Sequence, residues 1–576
     1  MKRIINKMIT VMVIIALVFS MAPGMNVSAA KKKINNVKTT SVIKKNRKAK
    51  VKKVKKVKKV KKNKKVKKVK KSKKGGKNKK INNNTVKKAD VPINVAAVPT
   101  EENETFVDNK VSSSGYYQAD IDALEKIISE CKESECTVSD DWSSEQYEWS
   151  KDGHLKKINW SNKGLENDFI IYIEDRYETD YFTELEEIDV SCNNNLRSIV
   201  VGGCPNLLKI KVTGCISTGG LYVYYNEKLK SIEADNLLYM DESDIKYCSE
   251  LENVSMKSCL RLEDLEIESC DNIKSFTLTN SKIDELSIGN EIEYLDCQNN
   301  EIERLDFIGD NLKYINCKNN NIEELNLEGY KNLEYVDCSG NLLTKLNVQS
   351  GVLLKELKCS KNKISELNVE SFNNLEELDC SSNSISELNV SNCAKLKSLE
   401  CEKNNISELN LDSNINLMTL DCSDNIISEL NLDSNINLMT LDCSDNIISE
   451  LNLDSNINLM ILQCSHNNIS ELNLDSNGNL NVLDCSYNDI SELIIDNNDE
   501  LTEILCMNNK ISALVVPYLS DVSYLNCSCN GMTSLYVGYV DYLICDGNNF
   551  EELDIDYVEE LYIGDDKIID NIYFYW

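Results

Sequence analysis

The stretch LDSNINLMTLDCSDNIISELN at residues 411–431 is followed at once by an identical copy at 432–452, and looser copies begin at Leu453 and Leu474. A 21-residue unit cannot enclose a core of its own, so a chain built from such units must stack coil on coil. Within one copy, Leu417, Leu420, Cys422, Asn425 and Ile427 spell L-x-x-L-x-C-x-x-N-x-I; Ile427, Leu430, Leu432 and Asn435 then give I-x-x-L-x-L-x-x-N. Alternating apolar residues mark a short strand with one buried face, and each half closes on Asn, which suits a tight bend. One coil is therefore expected to be two short strands and two bends. The chain should be a mainly β solenoid with short parallel strands on both faces.

The columns fix the register. The inward Cys position is filled by Cys297, Cys317, Cys338, Cys359, Cys380, Cys401, Cys422, Cys443, Cys464, Cys485, Cys506, Cys527 and Cys545. Three residues after each stands Asn300, Asn320, Asn341, Asn362, Asn383, Asn404, Asn425, Asn446, Asn467, Asn488, Asn509, Asn530 and Asn548. An interior file of carboxamides can pair with the backbone of its own and the adjacent coil, where unpaired groups are costly.

These units resemble bacterial leucine-rich repeats, in the 21-residue class of cysteine-ladder surface proteins where Cys replaces a strand Leu. The resemblance runs from about Leu185 to the C-terminus and is specific from Leu295 to Asn548. It implies a right-handed leucine-rich-repeat superhelix, a secreted or wall-attached protein engaged in adhesion, and no catalytic centre. Wall-attached members usually carry an L-P-x-T-G sorting signal, which this sequence lacks.

Charge divides the chain. Residues 31–88 hold 29 Lys and one Arg without an acid. All 93 acids lie from Asp90 onward, with 32 basic residues, leaving a net charge of −61 there. Before the basic run, residues 1–30 read as a secretory signal. Lys2, Arg3 and Lys7 precede an apolar stretch, and Val27, Ser28 and Ala29 fit small-residue cleavage. An uncleaved anchor is the alternative, although the apolar run is short for a bilayer span. The 31–88 arm is too densely charged to fold. It reads as an electrostatic tether to an anionic envelope polymer such as teichoic acid, or to anionic lipid. A solvated linker, or a segment resting on the acidic body, are the alternatives. The arm has no aromatic residue to stack on bases, so no specific nucleic acid is expected.

Residues 89–115 read as a linker and 116–184 as an N-terminal cap with a degenerate first coil. A helical period at 119–133 places Ile121, Leu124, Ile127, Ile128 and Cys131 on one face, with Asp120 as N-cap. Leu155, Ile158, Trp160 and Leu165 belong to that first coil. Residues 185–290 are divergent repeats, in which Val190, Val212, Ala234, Met256 and Leu278 occupy the later Cys slot and Cys215 and Cys259 the Asn slot. Residues 291–550 are the regular cysteine-ladder repeats. Residues 551–576 are a C-terminal coil begun by Leu561 and Ile563, ending in an aromatic edge.

The sequence offers little chemistry. Ladder thiols stacked with parallel Cβ vectors are poorly placed for disulfides and read as small buried hydrophobes. Of the other thiols, Cys131 and Cys136 are the best-placed pair for a disulfide. There are only two histidines, His154 and His466, and no recognisable catalytic, phosphate-binding or metal motif. No cofactor and no metal are expected. Outward positions on the Cys-bearing strand suit recognition better. One column runs Tyr294, Tyr314, Tyr335, Glu356, Glu377 and ends Glu503, Tyr524, Tyr542; the next runs Asp296, Asn316, Asp337, Lys358, Asp379, Glu400, Asp421, Asp442, Gln463, Asp484. Tyr294, Tyr314, Tyr335, Asp296, Asp337, Tyr524 and Tyr542 are the candidate contacts for a protein or glycan ligand, because Tyr supplies rigid amphipathic area. The plainer reading is that Tyr suits an exposed strand. A non-enzymatic binding or adhesion protein is the first expectation, a self-assembling secreted matrix protein the second, and a carbohydrate-active enzyme the third.

Overall fold

The computed structural model describes residues 115–131, 136–173, 180–307, 310–348, 352–517, 522–564 and 572–574. The proposed signal and basic arm, and almost all of the linker, lie outside them. The described chain is a β-solenoid. Alternation puts one apolar row inside each strand, and that row is shielded only when the next coil lies on it. Strand after strand of the Cys-bearing face accordingly pairs in parallel with its neighbour, Leu399 opposite Leu420 and Leu420 opposite Leu441. These strands form a 23-stranded ladder sheet. Among the described residues, only Tyr147–Trp149 enters it antiparallel, against Leu155–Asn159 at the capped end.

The interior has two files. All thirteen ladder cysteines are buried, and burial raises their thiol pKa values. In the Asn file, Asn425 Nδ2 donates to the Cys422 carbonyl (3.2 Å) and to that of Cys401 one coil back (3.0 Å), while its Oδ1 accepts the Ile406 N–H (2.9 Å). One carboxamide thus ties two coils at the bend where strand pairing stops. In two of the divergent coils a thiol takes over this task, while Asn193 keeps it in the first. Cys215 Sγ donates to the Val190 carbonyl at 3.1 Å and Cys259 Sγ to that of Ala234 at 3.4 Å.

The second face is less regular than two strands per coil. It is a five-stranded parallel sheet from Glu166–Tyr172 to Asp264–Glu268, then two strand pairs ending at Leu346–Asn347, and strand again from Ala513–Val516 onward. In the most regular repeats this half is extended chain without a ladder. There Asn410, Asn431, Asn452 and Asn473 each accept, through Oδ1, the N–H two residues on, at 3.0–3.1 Å. Side-chain oxygens engage the donors that strand pairing would need. A second amide file, Asn414, Asn435, Asn456, Asn477 and Asn498, holds these coils together instead, each Nδ2 donating to backbone carbonyls of the preceding coil.

Both ends depart from the repeat. The helix spans Gln118–Cys131 and turns Ile121, Leu124, Ile127 and Cys131 inward. Asp120 is not its N-cap. It lies inside the helix, fully buried, where Oδ2 accepts the Leu155 N–H (2.8 Å), Oδ1 accepts that of Phe182 (2.5 Å), and His154 Nδ1 stands 3.3 Å away. The carboxylate therefore bolts the helix to the first coil rather than satisfying its own N-terminus, and desolvation raises its pKa. Cys131 and Cys136 form no disulfide: Cys131 faces the neighbouring strand and donates to the Asp168 carbonyl at 3.1 Å. At the other end the Cys spacing drops to 18 residues between Cys527 and Cys545. The bend between the two faces disappears, and strands Ala513–Val516 and Tyr524–Asn526 both pair with one 11-residue strand, Ser534–Ile544. Leu561 lies opposite Leu543 in the next strand, Glu552–Tyr562. The side chains of the aromatic end lie outside the described residues.

Candidate ligand-binding surface

Parallel pairing carries any residue type repeated at coil spacing into a column. Tyr294, Tyr314 and Tyr335 are mutual register partners. Their rings stack nearly parallel, with centroids 4.3 and 4.4 Å apart. Lys358 closes the column, its ammonium 5.7 Å from the Tyr335 ring centre and 3.2 and 3.5 Å from the carboxylates of Glu356 and Glu377. Burial opposes the Lys358 charge, but those carboxylates outweigh it and raise its pKa. Burial, with the ring neighbours, also raises Tyr314, so its phenol stays protonated. The three rings form an uncharged plate with a cation at one end. Tyr524 and Tyr542 stack likewise at 5.6 Å. They stand nine strand steps from Tyr335, roughly 43 Å at about 4.8 Å per step, so the two groups are separate patches.

The acid column is less available than alternation suggests. Asp337 is only 5% exposed, and its Oδ1 accepts the Ser339 N–H at 3.0 Å. Asp296 is half-buried and accepts the Gln298 N–H at 3.3 Å. The chain bends just after the strand, and a carboxylate two residues before the free N–H caps that bend. Asp379, Asp421, Asp442 and Asp484 repeat the device on Ser381, Ser423, Ser444 and Ser486. Asp337 is therefore a turn cap and not a contact residue. The signal was present as the recurring D-C-S triplet.

Crowding these carboxylates has a cost. Burial, and then the neighbouring acids, push Glu400 up to about 7 and Asp442 up to about 6; burial and Asp421 push Glu402 up to about 7. The middle of the ladder sheet is thus a half-buried acidic strip between two tyrosine patches. Other aromatic stacks lie off this strip. Tyr225 and Tyr247 stack at 4.6 Å on the second face, and His466 lies 4.1 Å from Tyr487 in a turn column. Their 22- and 21-residue spacings were legible, but the turn position that carries them was not. His154 sits at the cap beside Asp120, far along the chain from His466. Among the described residues no cluster of three His, Cys, Asp or Glu is arranged to hold a metal, and no helix is long and apolar enough to cross a membrane.

No protein-family model matches the chain, and no curated protein does. Solved structures do. The functional domain of InlJ from Listeria monocytogenes, described as including a cysteine ladder, is 27% identical over 55% of this chain and 74% of its own, with a TM-score of 0.41. YopM from Yersinia enterocolitica is 22% identical over 73% of this chain and 91% of its own, at 0.45. A Leptospira interrogans leucine-rich-repeat protein is 16% identical over 66% and 95%, at 0.41. In its repeat, its two interior files and its coil-to-coil pairing, the chain is a leucine-rich-repeat β-solenoid with a cysteine ladder, similar to the InlJ domain.

Proposed function

We propose that this is an exported, non-enzymatic binding module that uses the ladder sheet to adhere to a protein or glycan, and its basic arm to stay at the cell envelope. The Tyr294–Tyr314–Tyr335 plate carries the reading. It offers contiguous rigid rings with phenol edges beside half-buried carboxylates, a combination that suits sugar faces or protein side chains and no bond-breaking step. Tyr524 and Tyr542 provide a second contact, so a long ligand engages both. The 31–88 arm would hold teichoic acid or anionic lipid by charge alone, weakening steeply with salt. The test is a glycan array and a surface-protein pull-down with the full chain. Tyr314→Ala is expected to lower ligand retention about tenfold, a hot-spot loss of about 1.4 kcal/mol. Deleting residues 31–88 should abolish salt-reversible wall retention and leave ligand binding intact. Unchanged binding by Tyr314→Ala would remove the plate from the reading.

A further inference from the structure

One edge of the solenoid changes character at the repeated copies. The residue just before each Cys-bearing strand forms a column that runs Glu293, Lys313, Glu334, Lys355, Glu376, Lys397, each N–H donating to the preceding carbonyl at 2.7–2.9 Å. Its charges alternate and pair: Lys313 with Glu293 (2.6 Å), Lys355 with Glu334 (2.7 Å), Lys397 with Glu376 (2.6 Å). At the next three coils the column becomes Met418, Met439, Met460. Beside it, a parallel column presents Ile415, Ile436 and Ile457, each more than half exposed. Between them stand Asn416, Asn437 and Asn458, whose amides bond back to the preceding coil's carbonyls at 2.9–3.0 Å. Three coils thus carry an uncharged Ile–Met strip on a body that is otherwise strongly acidic. Exposed apolar strips of this kind mark contact surfaces.

We infer that the occupant of this strip is a second copy of the chain, docked antiparallel about a two-fold axis passing between the Ile436 and Ile457 coils. The flanks argue for it. Such an axis lies in the interface and runs across the coils, so it reverses the coil order and keeps the order of the columns. Each Ile column faces the partner's Ile column and each Met column the partner's Met column. Ile436 meets the partner's Ile457, Met439 meets the partner's Met460, and Ile415 meets the notch at the partner's Gly478. One coil further out, Lys395 faces Glu500, with Asp499 in the neighbouring column. The strip therefore has a basic end and an acidic end, complementary only in this antiparallel register. The same strip cannot close parallel without setting Lys against Lys and acid against acid. Six coils are five steps, about 24 Å at about 4.8 Å per step. An interface this size is small, so the association is weak, with a Kd of about 10–100 µM expected.

Sedimentation velocity of the full chain, from below to above that range, tests the inference. The natural chain should pass from monomer to dimer. Ile436→Glu with Ile457→Glu should stay monomeric with an unchanged melting temperature, since both side chains are exposed. Lys395→Glu should weaken the dimer at least tenfold, and Glu500→Lys added to the same chain should restore it. A natural chain that stays monomeric overturns the inference. So does association indifferent to the Ile436/Ile457 pair, which would belong to the basic arm, and so does a Lys395→Glu defect that Glu500→Lys leaves unrepaired.

Discussion

At the scale of single residues, two positions per coil do most to set the bend. The first is the ladder Asn. Asn446 donates to the carbonyls of Cys422 and Cys443 and accepts the Ile427 N–H. Asn446→Ala strands all three groups in the interior, a loss of roughly 2–4 kcal/mol. A long array opens locally rather than as one body, so the loss is expected as faster amide exchange at Ile427 and its neighbours, with distant coils unchanged. The second is the residue just before the ladder Asn, which is left-handed in coil after coil: φ is 54° at Lys361, 56° at Lys403, 51° at Asp424 and 54° at His466. Side chains resist that conformation and Gly does not. Lys403→Gly should therefore stabilise its coil by about 0.5–1 kcal/mol, seen as slower local exchange, because Lys403 is exposed and its one ion pair, to Asp424, is long at 3.8 Å.

At the scale of the element, the ladder sheet carries a pH response. Glu400, Glu402 and Asp442 have folded-state values near 7, 7 and 6, above those of an unfolded chain. The folded coils then bind more protons than the unfolded ones, so stability falls as pH rises through this range. Lowering pH from about 8 to about 5 is expected to raise the melting temperature. Glu400→Gln with Asp442→Asn should flatten that dependence. The opposite trend belongs to carboxylates such as Glu252, whose lysine partners Lys230 and Lys274 lower its pKa, but it appears only at more acidic pH.

At the scale of the molecule, the repeat was legible because stacking turns sequence spacing directly into spatial columns. The thiol and carboxamide files and the tyrosine plate could be read from spacing alone, whereas the coil assigned to begin at Leu561 has its strand starting at Glu552. What could not be read was local competition for hydrogen bonds. Asn410 and its equivalents divert donors from the second face, Asp337 caps a turn where alternation pointed it outward, and Asp120 reaches across 35 and 62 residues to Leu155 and Phe182. Each outcome depends on which donor a short polar side chain meets in three dimensions. Periodicity carries no record of that choice.

The two identical coils have one more implication. Every contact that residues 411–431 make with 432–452 is of the same kind as those made with an added or missing copy, so inserting or deleting a whole unit leaves each remaining junction intact. A chain with one unit more or one fewer would then hold its two tyrosine patches farther apart or closer together by one whole step of about 4.8 Å.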